Sequence, residues 1–162
     1  MTATTLRPIT DDDREFLYRV YASTREDEMA AVDWSDEQKG TFLRFQFDAQ
    51  HKFYMEQFPA AAFDVILRDG EAIGRLYVDR RDDEVRLIDI ALLPERRGGG
   101  LGGAILRAVL AEAEDAGKPV RIHVEQLNPA QRLYRRLGFR PVEDQGVYSL
   151  MEWTPGQVKT DS

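Results

Sequence analysis

Apolar and polar positions recur along this chain with periods that divide it into short strands and amphipathic helices. Thr4 to Pro8 reads as a strand. Thr10, followed by Asp11, Asp12 and Asp13, reads as a helix start, a capping side chain with acids in the first turn. Phe16, Leu17, Val20 and Tyr21 give that helix one apolar face. Residues 24–34 are polar and aperiodic, which predicts a loop or short turn. Ser35 with Gln38 fits a capping box for a helix from about Asp36 to Gln57. This region is rich in aromatics, namely Phe42, Phe45, Phe47, Phe53, Tyr54 and Phe58. Such a face either packs on a sheet or lines part of a substrate pocket.

From Ala62 the period changes to two. Ala62 to Arg68 is a strand, Asp69-Gly70 a hairpin turn, and Glu71 to Asp79 the returning strand. Glu84 to Leu93 is the next strand after a polar turn, and Pro94 ends it. Ile105, Leu106, Val109, Leu110 and Ala113 then recur at helical spacing, and Gly117 with Lys118-Pro119 stops that helix. Val120 to Glu125 is a strand. Asn128-Pro129 opens a helix to Leu137, capped by Gly138. Phe139 to Val142 and Val147 to Trp153 are two further strands, and residues 154–162 read as a flexible tail. No internal repeat or linker divides the chain, so residues 1–153 read as a single domain.

Between Pro94 and the helix lie Arg96, Arg97 and a glycine run around Leu101: Gly98, Gly99, Gly100, Gly102 and Gly103. Glycine lets main-chain N–H groups approach a ligand closely. The helix start behind it adds donors without intrahelical acceptors and the positive end of a dipole. The stretch predicts an anion site, suited to a pyrophosphate. Gly98-x-Gly100-x-x-Gly103 also fits a dinucleotide fingerprint, with Glu125 where a ribose-binding acid would stand. The hairpins before the loop, and its place near residue 100 of 162, argue against that reading.

Two motifs at this mutual spacing carry a resemblance. Arg97-x-x-Gly100-x-Gly102 after a strand and proline, with Asn128-Pro-Ala-x-x-Leu-Tyr134-x-x-Leu-Gly138-Phe139 further on, resembles the GNAT N-acetyltransferase superfamily. The resemblance covers about Leu6 to Trp153 and implies an α+β fold, an α/β/α sandwich. Its mixed, mostly antiparallel sheet would have six to seven strands and about four helices, splayed between strands 4 and 5. It implies acetyl-CoA as co-substrate, with no metal. It implies transfer of the acetyl group to a primary amine by direct attack through a tetrahedral intermediate. The main chain of Leu92 and Leu93, and of Arg97 through Leu101 to Gly103, is implied to meet the coenzyme, with a main-chain N–H near Leu92 stabilising the oxyanion. Arg97 stands at the family's Arg/Gln position. Tyr134 is implied to lie near the coenzyme sulfur, where a phenol with a pKa near ~10 can protonate the leaving thiolate. Asn128 is implied to hold the coenzyme arm or a water, and serves equally as a plain helix cap.

The base is open between residues. Asp89 stands inside the apolar run LIDIALL, a placement that calls for pairing or function. A salt bridge to Arg86, Arg75 or Arg121 would also explain it. Glu125 and His123 share one face of their strand, and an ordered water could carry the proton instead. Asp89 and Glu125 are the favoured pair.

Composition narrows the partners. The net charge of −7 argues against nucleic acid and anionic membranes, and suits a cationic acceptor, a small-molecule amine or a peptide or protein amine. The absence of cysteine excludes disulfides, thiolate metal sites and a cysteine nucleophile, and fits a cytoplasmic protein. No stretch approaches the ~20 apolar residues of a membrane span. A monomer or a homodimer joined at the C-terminal strands would both fit. The competing class of function is a non-catalytic domain that binds an acyl-CoA as sensor or partner module.

Overall fold

Thr4–Pro8 forms strand β1 of the computed structural model, which describes residues 4–126 and 128–156. Helices α1 (Arg14–Ser23), α2 (Glu26–Ala30) and α3 (Asp36–Gln57) follow, then β2 (Ala62–Arg68), β3 (Glu71–Arg80) and β4 (Val85–Leu92). After them come α4 (Leu101–Ala116), β5 (Val120–Glu125), α5 (Gln131–Arg136), β6 (Arg140–Gln145) and β7 (Tyr148–Trp153). The strands order β1-β2-β3-β4-β5-β7-β6 in one mixed seven-stranded sheet. The chain clusters into two compact units, Met1–Tyr77 with Asp89–Arg97, and Val78–Ile88 with Gly98–Ser162. Strands β3 and β4 contribute to both.

In the first unit β1 lies antiparallel to β2, with Leu6 opposite Ile66. The β2–β3 turn places Asp69 at φ 50° and Gly70 at φ 84°, the pair of positive angles that a type I′ hairpin needs. The Ser35 capping box forms as expected: Ser35 Oγ accepts from the Gln38 N–H at 3.1 Å, and the Gln38 side-chain oxygen accepts from the Ser35 N–H at 2.9 Å. Leu17, Tyr21, Met29, Leu43 and Phe47 pack into one buried cluster.

Two expectations change here. The triple aspartate is a 3-10 turn, Asp11–Asp13, ahead of α1. Asp13 is turned back on the chain, accepting from Thr10 N–H and from both terminal nitrogens of Arg7 at 2.8 Å each. The Arg7 hydrogen bonds hold its pKa down at about 2. The supposed loop at residues 24–34 contains α2, fixed by the single buried side chain of Met29. One apolar residue in five carries no readable period, so the helix was invisible in the sequence.

In the second unit β5 pairs antiparallel with β7 from Val120–Trp153 to Glu125–Tyr148. Strand β7 pairs with the exposed edge strand β6, with a bulge between Pro141 and Glu143. Phe139, expected to begin β6, instead sits in the α5 exit turn, its N–H bonded to the Tyr134 carbonyl at 3.0 Å. Helix α4 ends at Gly117, φ 68°, where the N–H of Lys118 closes on the Ala113 carbonyl at 3.0 Å. The tail expected from residue 154 lies mostly outside the described residues; within them, Gly156 N–H donates to Glu114 at 2.8 Å.

Strands β4 and β5 pair in parallel, registered at Val85–Val120 and Arg86–Arg121. Beyond these positions the two strands splay. A charged clamp holds the paired end. Buried Glu84 accepts from Arg86 Nε at 2.9 Å and from Arg121 at 2.8 Å, and Arg121 Nε donates on to Glu152 at 2.7 Å. Burial alone would raise the Glu84 pKa; the hydrogen bonds from Arg121 and Arg86 outweigh it and keep the carboxyl below its usual range.

Candidate active site

The glycine run belongs to the second unit and leads directly into α4. Gly98 and Gly100 hold φ values of 82° and 79°, which L side chains rarely adopt. A Cβ placed on Gly98, Gly99 or Gly100 would meet nothing within 4 Å, so this side of the loop is open. Helix α4 begins at Leu101, and its first backward bond runs from Ala104 N–H to the Gly100 carbonyl at 3.0 Å. The amides of Leu101, Gly102 and Gly103 therefore stand at the helix N-terminus without intrahelical acceptors. Near them lies a residue that the sequence did not suggest. The Arg107 guanidinium is 3.5 Å from where a Gly103 Cβ would sit. Its signal was present in the i, i+4 spacing.

Tyr134 is buried on α5 and packs edge-on against Phe139, with ring centroids 5.6 Å apart. Asn128 is exposed, and its Oδ1 accepts from Ala130 N–H at 2.8 Å in the turn ahead of α5; the helix expected to open at Pro129 begins at Gln131, with Ala130 at its cap position. Glu125 is half-buried at the end of β5, and its carbonyl accepts from the Gln131 side chain at 2.9 Å. His123 Nδ1 lies 3.2 Å from Arg86. Arginine only donates, so Nδ1 accepts and the proton resides on Nε2. That tautomer leaves His123 no second acceptor nitrogen for a substrate proton. Loss of hydration, and next the Arg86 charge, pushes its pKa down.

In the first unit the end of β4 carries Asp89, Leu92 and Leu93. Of the three arginines weighed as partners for Asp89, Arg75 is the one found: it donates to Asp89 Oδ2 and, at 3.0 Å, to the Gln50 side-chain oxygen. Arg75 is almost fully buried. Leu93 N–H donates to the Ile73 carbonyl at 2.9 Å. Arg97 does not extend freely from its loop. Its Nε donates to the Leu92 carbonyl at 2.9 Å and its NH2 to Ser23 Oγ at 3.0 Å.

The same unit has an open groove of about 650 Å³ along α1, α2, α3 and the residues after β4. Met29, Leu43, Leu93 and Pro94 give it apolar floor, while Glu26, Asp36 and Glu95 bring carboxylates and Arg19 and Lys39 bring cations. The aromatics of α3 do not line it. Among them only Phe47 is fully buried, and Phe42, Phe45 and Phe53 face solvent. Helix α3 presents Asp36, Lys39, Gly40 and Leu43 to the groove instead.

The profile of the acetyltransferase (GNAT) family matches residues 17–139, most of the chain. The chain belongs to the GNAT family. It is therefore an acyltransferase, and acetyl-CoA is its co-substrate. A Bacillus subtilis protein described as a ribosomal protein bS18-alanine N-acetyltransferase is 32% identical over 113 residues, covering 62% of this chain and 74% of that protein. The mycothiol acetyltransferase of Nocardiopsis dassonvillei is 36% identical over 85 residues, 51% of this chain but only 22% of that longer protein. Among solved structures, the PaiA N-acetyltransferase of Thermoplasma acidophilum in complex with coenzyme A has a TM-score of 0.70 at 18% identity, covering 94% of this chain and 99% of that one. At that identity the likeness speaks for the fold. The residues of this GNAT chain fit a pyrophosphate: the loop is open where side chains would stand, and α4 directs amides without intrahelical acceptors from its N-terminus. Among the described residues no helix is long and apolar enough to cross a membrane, and no cluster of His, Cys, Asp or Glu could hold a metal ion.

Proposed function

We propose that this chain acetylates a primary amine from acetyl-CoA by direct attack through a tetrahedral intermediate, acting in the cytoplasm as one acetyltransferase domain over residues 1–153. The observation that carries the reading is the open run of glycine amides at the N-terminus of α4. The donor supplies an activated thioester carbonyl. Main-chain N–H groups from Gly98 to Gly103 and the α4 dipole hold its pyrophosphate, with Arg107 adding charge. Asn128 offers its side-chain NH2 group to the coenzyme arm.

The acceptor nitrogen loses a proton to Asp89 or Glu125, directly or through a water, and forms a C–N bond to the acetyl carbon. The carbonyl oxygen takes the electron pair, and the Leu92 N–H stabilises that oxyanion. Collapse breaks the C–S bond, and Tyr134 protonates the departing thiolate. We assign the acceptor to the groove of the first unit. Its three carboxylates against two cations favour an amine with positive charge nearby. The relatives are named for a protein alanine and for mycothiol, so both a protein terminus and a small molecule are within the reading.

Release of CoA from acetyl-CoA, followed across a panel of small and peptide amines, tests this. Turnover with a cationic amine supports it. Tight acetyl-CoA binding with no release for any amine would move the chain to the class of non-catalytic acyl-CoA-binding domains. The base is assigned by pH–rate profiles of Asp89→Asn and Glu125→Gln. A base must be deprotonated, so wild-type kcat/KM rises with pH through its pKa, and the variant that loses this rise identifies it.

Gly100→Ala is expected to weaken acetyl-CoA binding about tenfold by calorimetry. Alanine at a left-handed φ costs ~1–2 kcal/mol, and 1.4 kcal/mol is tenfold in affinity. Unchanged binding would remove Gly100 from the site.

A further inference from the structure

We infer that Gly74 and Arg97 are positioning residues that aim the Leu92 N–H. The inference rests on the reading of that N–H as the oxyanion donor, and three contacts around the end of β4 carry it. First, a Cβ on Gly74 would collide with the Ala91 carbonyl oxygen and lie 3.1 Å from Leu92 Cα. Both are backbone atoms, so no rotamer change can make room. Strand β3 approaches β4 here more closely than any side chain allows, and a lone glycine inside a strand is what such an approach requires. Second, Leu93 N–H is tied to the Ile73 carbonyl at 2.9 Å, one residue from Gly74. Third, Arg97 Nε holds the Leu92 carbonyl at 2.9 Å, and its NH2 is anchored on Ser23 Oγ at 3.0 Å. Ser23 Oγ is itself fixed by donating to the Val20 carbonyl at 2.7 Å.

These contacts determine a direction. The Ala91–Leu92 peptide is trans and planar, so its carbonyl oxygen and its N–H point opposite ways. The Ala91 oxygen lies against Gly74 on β3. The Leu92 N–H therefore points away from β3, toward the other edge of β4. The following Leu92–Leu93 peptide is held at both ends, its carbonyl by Arg97 and its N–H by Ile73. With that peptide fixed, Leu92 Cα is anchored, and the preceding peptide can turn only about the axis through the Ala91 and Leu92 Cα atoms, which would swing its carbonyl oxygen out of the space beside Gly74. Arg97 thus holds the main chain next to the amide that faces the reacting oxygen. Glycine at position 74 supplies the space that lets this arrangement exist.

The test compares wild type with Gly74→Ala, Arg97→Met and Arg97→Lys in the full chain. Amide hydrogen exchange by NMR is read at Leu93, with Ile122 of β5 as the fold control. Positioning predicts that all three variants speed Leu93 exchange about tenfold or more, while Ile122 keeps its protection. In turnover with acetyl-CoA and an amine from the panel, kcat falls by ~10²-fold, the range for losing one oxyanion donor. KM for acetyl-CoA stays within about twofold, and so does the preference for acetyl-CoA over S-acetylpantetheine, which lacks the pyrophosphate. Arg97→Lys keeps the charge but not the Nε fork, so it fails to rescue kcat. Wild-type Leu93 exchange in the Arg97 variants overturns the inference, whether or not Gly74→Ala folds. A rise confined to the acetyl-CoA KM, with preference over S-acetylpantetheine lost and restored by lysine, makes Arg97 a phosphate ligand and overturns it too. If wild type releases no CoA with any amine, the catalytic reading fails, and the exchange data still decide whether Gly74 and Arg97 fix this amide.

Discussion

Tyr134→Phe lowers kcat for acetyl transfer by about 10²-fold or more, the range for removing a general acid. The ring is buried on α5 and packs against Phe139, and phenylalanine keeps that contact. The melting temperature should therefore change little, and acetyl-CoA binding should stay near wild type. What disappears is the hydroxyl that hands a proton to the leaving thiolate, whose own pKa is about 8.5 for a cysteine-like thiol. The pH profile separates this role from a packing role. An acid must be protonated, so wild-type kcat falls at alkaline pH, where the acid has lost its proton. The phenylalanine variant lacks that alkaline fall. Full turnover in the variant would remove Tyr134 from the chemistry.

Glu84→Ala destabilises the fold by ~3 kcal/mol, the lower end of the range for breaking a buried pair by removing one partner. Glu84 side-chain exposure is 8%, and its partners Arg86 and Arg121 are 17% and 32% exposed. Removing the carboxylate leaves two partly desolvated guanidinium groups facing one another at the paired end of β4–β5. Urea denaturation at neutral pH reads the loss. Glu84→Gln keeps the packing and some hydrogen bonds, so its loss is smaller. The pH dependence follows from the depressed pKa of Glu84. Its contribution is present above the unfolded value of ~4.3 and is lost as pH falls through the lower folded value. Below that range wild type and Glu84→Gln converge. If the two differ equally at pH 7 and in strong acid, the clamp is not electrostatic.

Much of the architecture was legible because its signals are local. The Asp69-Gly70 hairpin, the Ser35–Gln38 capping box and the Gly117 stop each involve chemistry within four residues, and each stands where the sequence placed it. Signals of one residue were lost: α2 hangs on Met29 alone, and the five aromatics of α3 gave no clue to which would be buried. His123 reads as a natural base in the sequence. Only its neighbour on the adjacent strand, Arg86, occupies the nitrogen that would accept a proton.

The glycine run, the helix behind it and the Asn128-to-Phe139 segment were enough to assign the family and its co-substrate, since an anion site of main-chain amides is written in consecutive residues. What surrounds the chemistry depended on register. Asp89 meets Arg75 across fourteen positions of sequence, and Gly74 meets Ala91 only because β3 and β4 pair as they do. A slip of one residue would have turned each of these side chains to the opposite face. Arg97 illustrates the division most sharply. Its place beside the glycines comes from the sequence alone, whereas its bonds to the Leu92 carbonyl and the Ser23 hydroxyl exist only once α1 and β4 have packed together.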